Sequence, residues 1–251
     1  MASFFVIRVP GWRTFILHMP ESWQLFASAL HWYRRKVRSR LFLEIEQGND
    51  QAALELATRR RLTRSRGEWG ETPLCAAISH ERVELACELI RRGGMLANDG
   101  ALASAAMRGN ITVVQALLSA GKNPNEPFPD ADTCGSTPLM YATNRGYFDV
   151  MRALLDAGAN IDAVDDHGAT AAMLARTGTP ENIQALEILL RFKPDIQLKD
   201  DRGRDLIQEA VDRYRCSEKP AMFLLLKENY PDLNLDARLA TSIAGARKNK
   251  V

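Results

Sequence analysis

Gly135–Ala163 reads GSTPLMYATNRGYFDVMRALLDAGANIDA, and this stretch decides the fold. Thr137-Pro138 opens a helix: a threonine can cap free N–H groups, and proline suits the first turn. Leu139 and Ala142 give that short helix a small apolar face, and Arg145-Gly146 breaks it. Phe148, Val150, Met151, Leu154 and Leu155 then recur at helical spacing and predict a second amphipathic helix. Gly158 closes it at a left-handed position, where a side chain would be strained. Two helices this short cannot hide their apolar faces in each other alone. The fold therefore depends on recurrence.

The pattern recurs. Val164 to Thr170 restarts it, and Leu189-Leu190 repeats Leu154-Leu155. Upstream, Gly70 to Leu74, Ala76-Ala77 and Glu88 to Ile90 spell it again, ending at Gly93. Leu102, Ala105-Ala106, Val113-Val114, Leu117-Leu118 and Gly121 spell it without Thr-Pro. Downstream, Asp200, Gly203, Ala210, Leu225-Leu226 and Asn229 form a degraded copy, with Asn229 expected at the left-handed site. Corresponding positions lie 28, 37, 33 and 35 residues apart, so loops vary while helices keep phase. On these residues the chain resembles the ankyrin-repeat family, whose period is about 33 with a T-P-L-H-x-A signature. Thr72-Pro73-Leu74 and Thr137-Pro138-Leu139 carry the resemblance. The signature histidine is replaced by Cys75, Met140 and Met173, which is expected to remove a hydrogen-bonding group while keeping the packing.

The resemblance implies an all-α solenoid of stacked helix-turn-helix units with short hairpin tips, over residues 39–235. Repeats are expected at 39–66, 67–94, 95–125, 132–163, 164–197 and 198–235, with the first only half matched. A capping helix and basic tail at 236–251 are expected to follow. In the first repeat an arginine-rich end, Arg59 to Arg66, replaces the glycine turn and reads as a solvated turn. Lys193 stands where glycine is expected, which predicts a less regular turn. The linker Asn123 to Thr133, with three prolines around Phe128, is expected to project from the stack. Phe128 is then either a partner anchor or a residue folded onto the adjoining hairpin.

Residues 1–38 lie outside the pattern. A net charge of +2 hides an asymmetry, because the first 40 residues carry seven Lys/Arg against Glu21 alone. Phe4 to Ile7 makes a poor secretory signal, and Phe15 to Tyr33 is too polar for a membrane span. Pro20 to Trp23 reads as a helix start, with Trp23, Phe26, Ala27 and Leu30 forming one apolar stripe. This arm could cap the first repeat, lie in a membrane interface with residues 15–38 on anionic lipid, or be read by a partner or translocation system. The net acidic remainder argues against nucleic acid. Four cysteines without regular spacing suit a reducing, cytoplasmic home. Asn110-Ile111-Thr112 fits a glycosylation sequon but opens a packed helix.

No catalytic constellation emerges: the four histidines are scattered and there is no HExxH, GxSxG or phosphate-binding glycine loop. Asp165 and Asp200 fit turn hydrogen bonding, three residues ahead of a glycine. No metal or cofactor is implied, and the chain reads as non-enzymatic. The resemblance instead implies binding along the row of hairpin tips and first helices, where side chains do not hold the stack together. Carried over position by position, that row comprises Glu68, Trp69, Glu71, Ser79 and His80, then Met107 and Arg108. It continues through Thr133, Ser136, Asn144, Arg145, Asp166, His167 and Ala169 to Asp201, Arg202, Arg204 and Arg213. The expected anchors are Trp69, His80, Met107, Arg108, Asn144 and Arg145, because aromatic and arginine side chains dominate interfaces. The expected partner is another protein, bound by a monomer acting as adaptor or stoichiometric inhibitor. The alternative is a peripheral membrane protein held by its arm.

Overall fold

A computed structural model describes residues 5–7, 15–17, 40–67, 71–129, 134–175, 180–217, 221–237 and 239–240. In the arm, β1 (Phe5–Ile7) pairs antiparallel with β2 (Phe15–Leu17), Val6 standing opposite Ile16. This strand pair was not expected from the sequence pattern. The helix start at Pro20 to Trp23 lies outside the described residues.

The body is a succession of short helix pairs. The first comprises α1 (Arg40–Gln47) and α2 (Asp50–Leu56), followed by an extra helix, α3 (Arg59–Arg64). Then come α4 (Pro73–Ser79) with α5 (Val83–Arg91), and α6 (Ala101–Met107) with α7 (Ile111–Ser119). The pair α8 (Pro138–Arg145) and α9 (Phe148–Asp156) is followed by α10 (Ala171–Leu174) with α11 (Pro180–Arg191). The last is α12 (Leu206–Ser217) with α13 (Ala221–Asn229). First helices touch first helices along the chain, and second helices touch second helices, so two rows of helices run side by side.

Side-chain size explains the order. The first helices are alanine-rich: Ala76, Ala77, Ala101, Ala105, Ala106, Ala142, Ala171 and Ala172 are all buried and let neighbouring backbones approach closely. The second helices supply the bulk. In α9, Val150, Met151, Leu154 and Leu155 are buried, each burial contributing roughly 1.5–3 kcal/mol. Threonine caps set the helix starts: Thr72, Thr137 and Thr170 accept from the N–H of Cys75, Met140 and Met173 at 3.2, 3.4 and 3.4 Å.

The structure corrects four sequence expectations. Sulfur takes over part of the missing histidine's bonding. Cys75 Sγ donates to the Asp99 carbonyl at 2.9 Å, and Met140 Sδ accepts from the Thr137 N–H at 3.3 Å. Lys193 adopts φ +55°, and its N–H reaches the Leu190 carbonyl just as that of Gly158 reaches Leu155, so the turn stays regular. Its Nζ donates to the Asn229 carbonyl at 3.0 Å and sits over the Tyr230 ring, which offsets the backbone strain. Asn229 itself ends α13 without a left-handed backbone. Finally, Arg59 to Arg64 is a helix, because Thr58 accepts from the Arg61 N–H at 3.4 Å and Leu62 plugs into the stack fully buried.

Candidate functional site

Two hairpin tips are each built by an aspartate. Asp165 Oδ1 accepts from the N–H groups of His167 and Ala169, both at 2.9 Å. Asp200 Oδ1 does the same for Arg202 and Arg204 at 3.0 and 2.9 Å, and its other oxygen takes the Arg204 guanidinium. The Arg204 N–H and that guanidinium hold the Asp200 carboxyl below its ordinary range. Asp165 and Asp200 therefore serve the turns, and the tip residues that follow them, Asp166, His167, Asp201 and Arg202, are exposed.

Successive tips are then tied to one another through backbone. The Asp166 N–H donates to the Cys134 carbonyl at 2.9 Å, and the Asp201 N–H to the His167 carbonyl at 2.8 Å. Gly168 makes the second approach possible: a Cβ there would stand 3.2 Å from Asp200 Cα and from the Lys199 carbonyl. These bonds bring Asp166, His167 and Asp201 into one exposed run, where His167 Nδ1 lies 3.5 Å from Asp201 Oδ2. Arg202 is exposed beside them.

A second set of candidates sits at the C-terminal ends of the first helices. His80 follows α4 and is exposed. Arg108 follows α6 and pairs with Glu81 of the preceding unit at 3.4 Å, while Met107 is half-buried. Asn144 and Arg145 are exposed at the end of α8, and their side chains make no hydrogen bond or ion pair among the described residues. Because α4, α6 and α8 pack side by side, these ends form a row.

The remaining candidates are placed differently. Trp69, Glu68, Thr133 and the side chain of Arg213 lie outside the described residues. Glu71 closes the loop at 67–71, its carbonyl accepting from the Gly67 N–H at 2.9 Å. Phe128 does not project with the linker. Its ring and Pro129 pack over Gly100, and its N–H donates to the Ser136 carbonyl at 3.4 Å, which leaves the side chain half-buried.

A buried ionic cluster beneath the linker escaped the sequence reading. Lys122 Nζ lies 2.7 Å from Asp99 Oδ1 and 2.9 Å from Glu126 Oε1, with side-chain exposures of 5, 1 and 8%. It also donates to the Leu96 carbonyl. Burial pulls the lysine down, but hydrogen bonds to Asp99 and Glu126 outweigh it and leave Lys122 above its ordinary value. A signal was there: Gly121-Lys122 occupies the place of Gly158-Ala159 and Gly93-Gly94. Cys75, nearby, is pushed up to about 11 by burial and by Asp99, so it stays a thiol. Among the described residues no group of three or more His, Cys, Asp or Glu is arranged to hold a metal ion.

Comparison with known proteins now bears on this geometry. The family model "Ankyrin repeats (3 copies)" matches residues 104–200. Residues 104–200 therefore contain ankyrin repeats. An ankyrin repeat protein of Coxiella burnetii is 32% identical over 97 residues, covering 39% of this chain and 27% of its own length. Dauer abnormal formation protein 25 of Caenorhabditis elegans is 34% identical over 110 residues, covering 42% of this chain and 28% of its own. The chain thus spans under a third of the length of these two relatives. The crystal structure of an ankyrin repeat domain from Acinetobacter baumannii superposes with a TM-score of 0.63 at 23% identity. That match covers 74% of this chain and 96% of the other, and it supports the all-α ankyrin solenoid. No helix among the described residues is long and apolar enough to cross a membrane. Of the arm's residues 15–38, which the membrane alternative requires, the described structure includes 15–17 alone.

Proposed function

We propose that the chain is a non-enzymatic protein-binding module, an adaptor or a stoichiometric inhibitor, gripping its partner along the tips and first-helix ends of the repeats. Ankyrin repeats mediate protein–protein interaction, and most candidate side chains of that row stay exposed along the stack. One observation carries the reading. Asn144 and Arg145, at the centre of the row, are exposed and make no side-chain hydrogen bond or ion pair among the described residues, while the tip aspartates Asp165 and Asp200 serve their own turns.

Met107, Arg108 and His80 extend the row toward one end, with Trp69 and Glu71 as further candidates; Asp166, His167, Asp201 and Arg202 extend it toward the other. Phe128 is the weakest member, since half of it is already covered. The test is capture of a partner on immobilised protein, followed by affinity measurement with Asn144→Ala/Arg145→Ala. Anchors of an interface cost about 2 kcal/mol or more when truncated, so binding should weaken roughly thirtyfold. Unchanged affinity would move the contact off this row.

A further inference from the structure

The strongest charge feature of the body lies away from that row, on α3. Between Ala57 and Gly67 the chain holds Arg59, Arg60, Arg61, Arg64 and Arg66 with no Asp or Glu, whereas residues 67–235 hold 25 Asp/Glu against 17 Lys/Arg. Two of the five are used locally: Arg61 donates to the Leu56 carbonyl, and Arg66 to those of Thr63 and Ser65. Arg59, Arg60 and Arg64 are exposed and make no side-chain hydrogen bond or ion pair among the described residues. Arg60 and Arg64 stand one turn apart on the same face. Leu62, the helix's single apolar side chain, is fully buried and anchors α3 beside Gly94 at the end of α5. The helix is thus fixed to the stack and presents free guanidinium groups.

We infer that this helix is a docking surface for a carboxylate-rich segment of a protein partner; the choice of a protein as occupant rests on the function proposed above. Guanidinium groups take carboxylates in paired, planar hydrogen bonds, which is what five arginines and no lysine favour. The surroundings select against other polyanions. A nucleic-acid strand running beyond the short helix would meet the net acidic body. A lipid surface would gain no apolar insertion from α3, since Leu62 is turned inward, leaving electrostatic attraction alone. A short acidic segment needs only the patch.

The probe is fluorescein-labelled deca-glutamate, titrated with the full chain and followed by anisotropy at about 50 mM salt, where screening is modest. The expected result is saturable binding that Arg59→Gln/Arg60→Gln/Arg64→Gln weakens about tenfold or more. Arg60→Gln alone gives a smaller loss in the same direction, and circular dichroism verifies that both variants fold. Arg152→Gln, an exposed arginine on α9, leaves binding unchanged. The inference is overturned if the native chain ignores deca-glutamate, or if Arg152→Gln weakens it as much as the triple variant. It is equally overturned if oligothymidylate or phosphatidylserine vesicles bind through these arginines while deca-glutamate does not. Partner capture lost with Asn144→Ala/Arg145→Ala tests the row independently, so each reading can fail while the other stands.

Discussion

Two seams between neighbouring repeats solve the same problem in opposite ways. Between the unit of α8 and α9 and the unit of α10 and α11, the seam is uniform: Ala159 fills the space after Gly158, and backbone and short polar side chains do the tying. There, the Asp195 N–H donates to Asp162 Oδ1 at 2.8 Å, one repeat away. A similar rung, from the Asn160 N–H to Asn125 Oδ1, reaches back across the preceding seam to the unit of α6 and α7. One unit earlier, where the interval stretches to 37 residues, a buried lysine replaces the alanine and draws in Asp99 and Glu126. A repeat can therefore absorb an irregular linker by holding it down with charge, and the cost is a cluster that tolerates no missing member.

The sharpest way to break that contrast is Lys122→Ala. Both carboxylates would remain buried without a cation, and breaking a buried pair costs about 3–5 kcal/mol. Chemical denaturation at neutral pH should show a loss of that size, against little effect for Ala159→Ser in the uniform seam. The pH dependence identifies the cause. In Lys122→Ala the two carboxylates stay buried without a cation, and burial disfavours their charged forms. Such groups weaken the fold at neutral pH, and the deficit against the native chain should shrink as pH falls from about 7 toward 4. In the native chain Lys122 is itself raised above 10.5. Its contribution is complete below the ordinary value and is lost only as pH rises through the folded one. A deficit that stays constant with pH would mean a packing defect instead.

Glycine substitutions separate two demands that look alike in sequence. Gly168 has φ +72° and backs onto the backbone of the next tip, with Lys199 and Asp200 atoms 3.2 Å from where a Cβ would stand. Gly158 has φ +86° and nothing within 4 Å of that point. Gly158→Ala should therefore cost only the left-handed strain, about 1 kcal/mol, and Gly168→Ala about 2 kcal/mol or more because the tips must also part. Thermal melts of the two variants rank them; equal losses would show that tip-to-tip approach adds nothing.

Much of this was legible beforehand, and the reason is periodicity. Thr137, Pro138, Leu139, Val150, Leu154 and Gly158 each fill a role set by local chemistry, and a role that recurs along the chain is hard to misread. Asp165 and Asp200 were assigned to turns on the same logic, and the tip hydrogen bonds agree. What escaped depends on contacts between residues distant in sequence. Nothing local to Lys122 says that Asp99, 23 residues upstream, will pair with it. The extra helix α3 was missed because arginine reads as solvated, while its fold hangs on Thr58 and one inward leucine. Lys193 read as a defect because its compensation, the Asn229 carbonyl and the Tyr230 ring, lies on the next unit. For the proposed binding row, the sequence did not reveal that Asn144 and Arg145 would be free where Arg108 and His167 lie near acidic neighbours.

The smallest effect tests whether local caps or seams govern the uniform region. Thr137 accepts from the Met140 N–H and in return gives its own N–H to the methionine sulfur. Thr137→Ala removes only the first bond and should cost about 1 kcal/mol, the usual worth of a threonine cap. Met140→Leu removes the second while conserving volume, and a thioether is a weak acceptor, so under about 1 kcal/mol is expected. The double variant decides between two pictures. Independent bonds give additive losses within about 0.5 kcal/mol, whereas a coupled box gives less than the sum, because either single change already opens the helix start. Additivity would place the control of this region in its seams, and non-additivity in its caps.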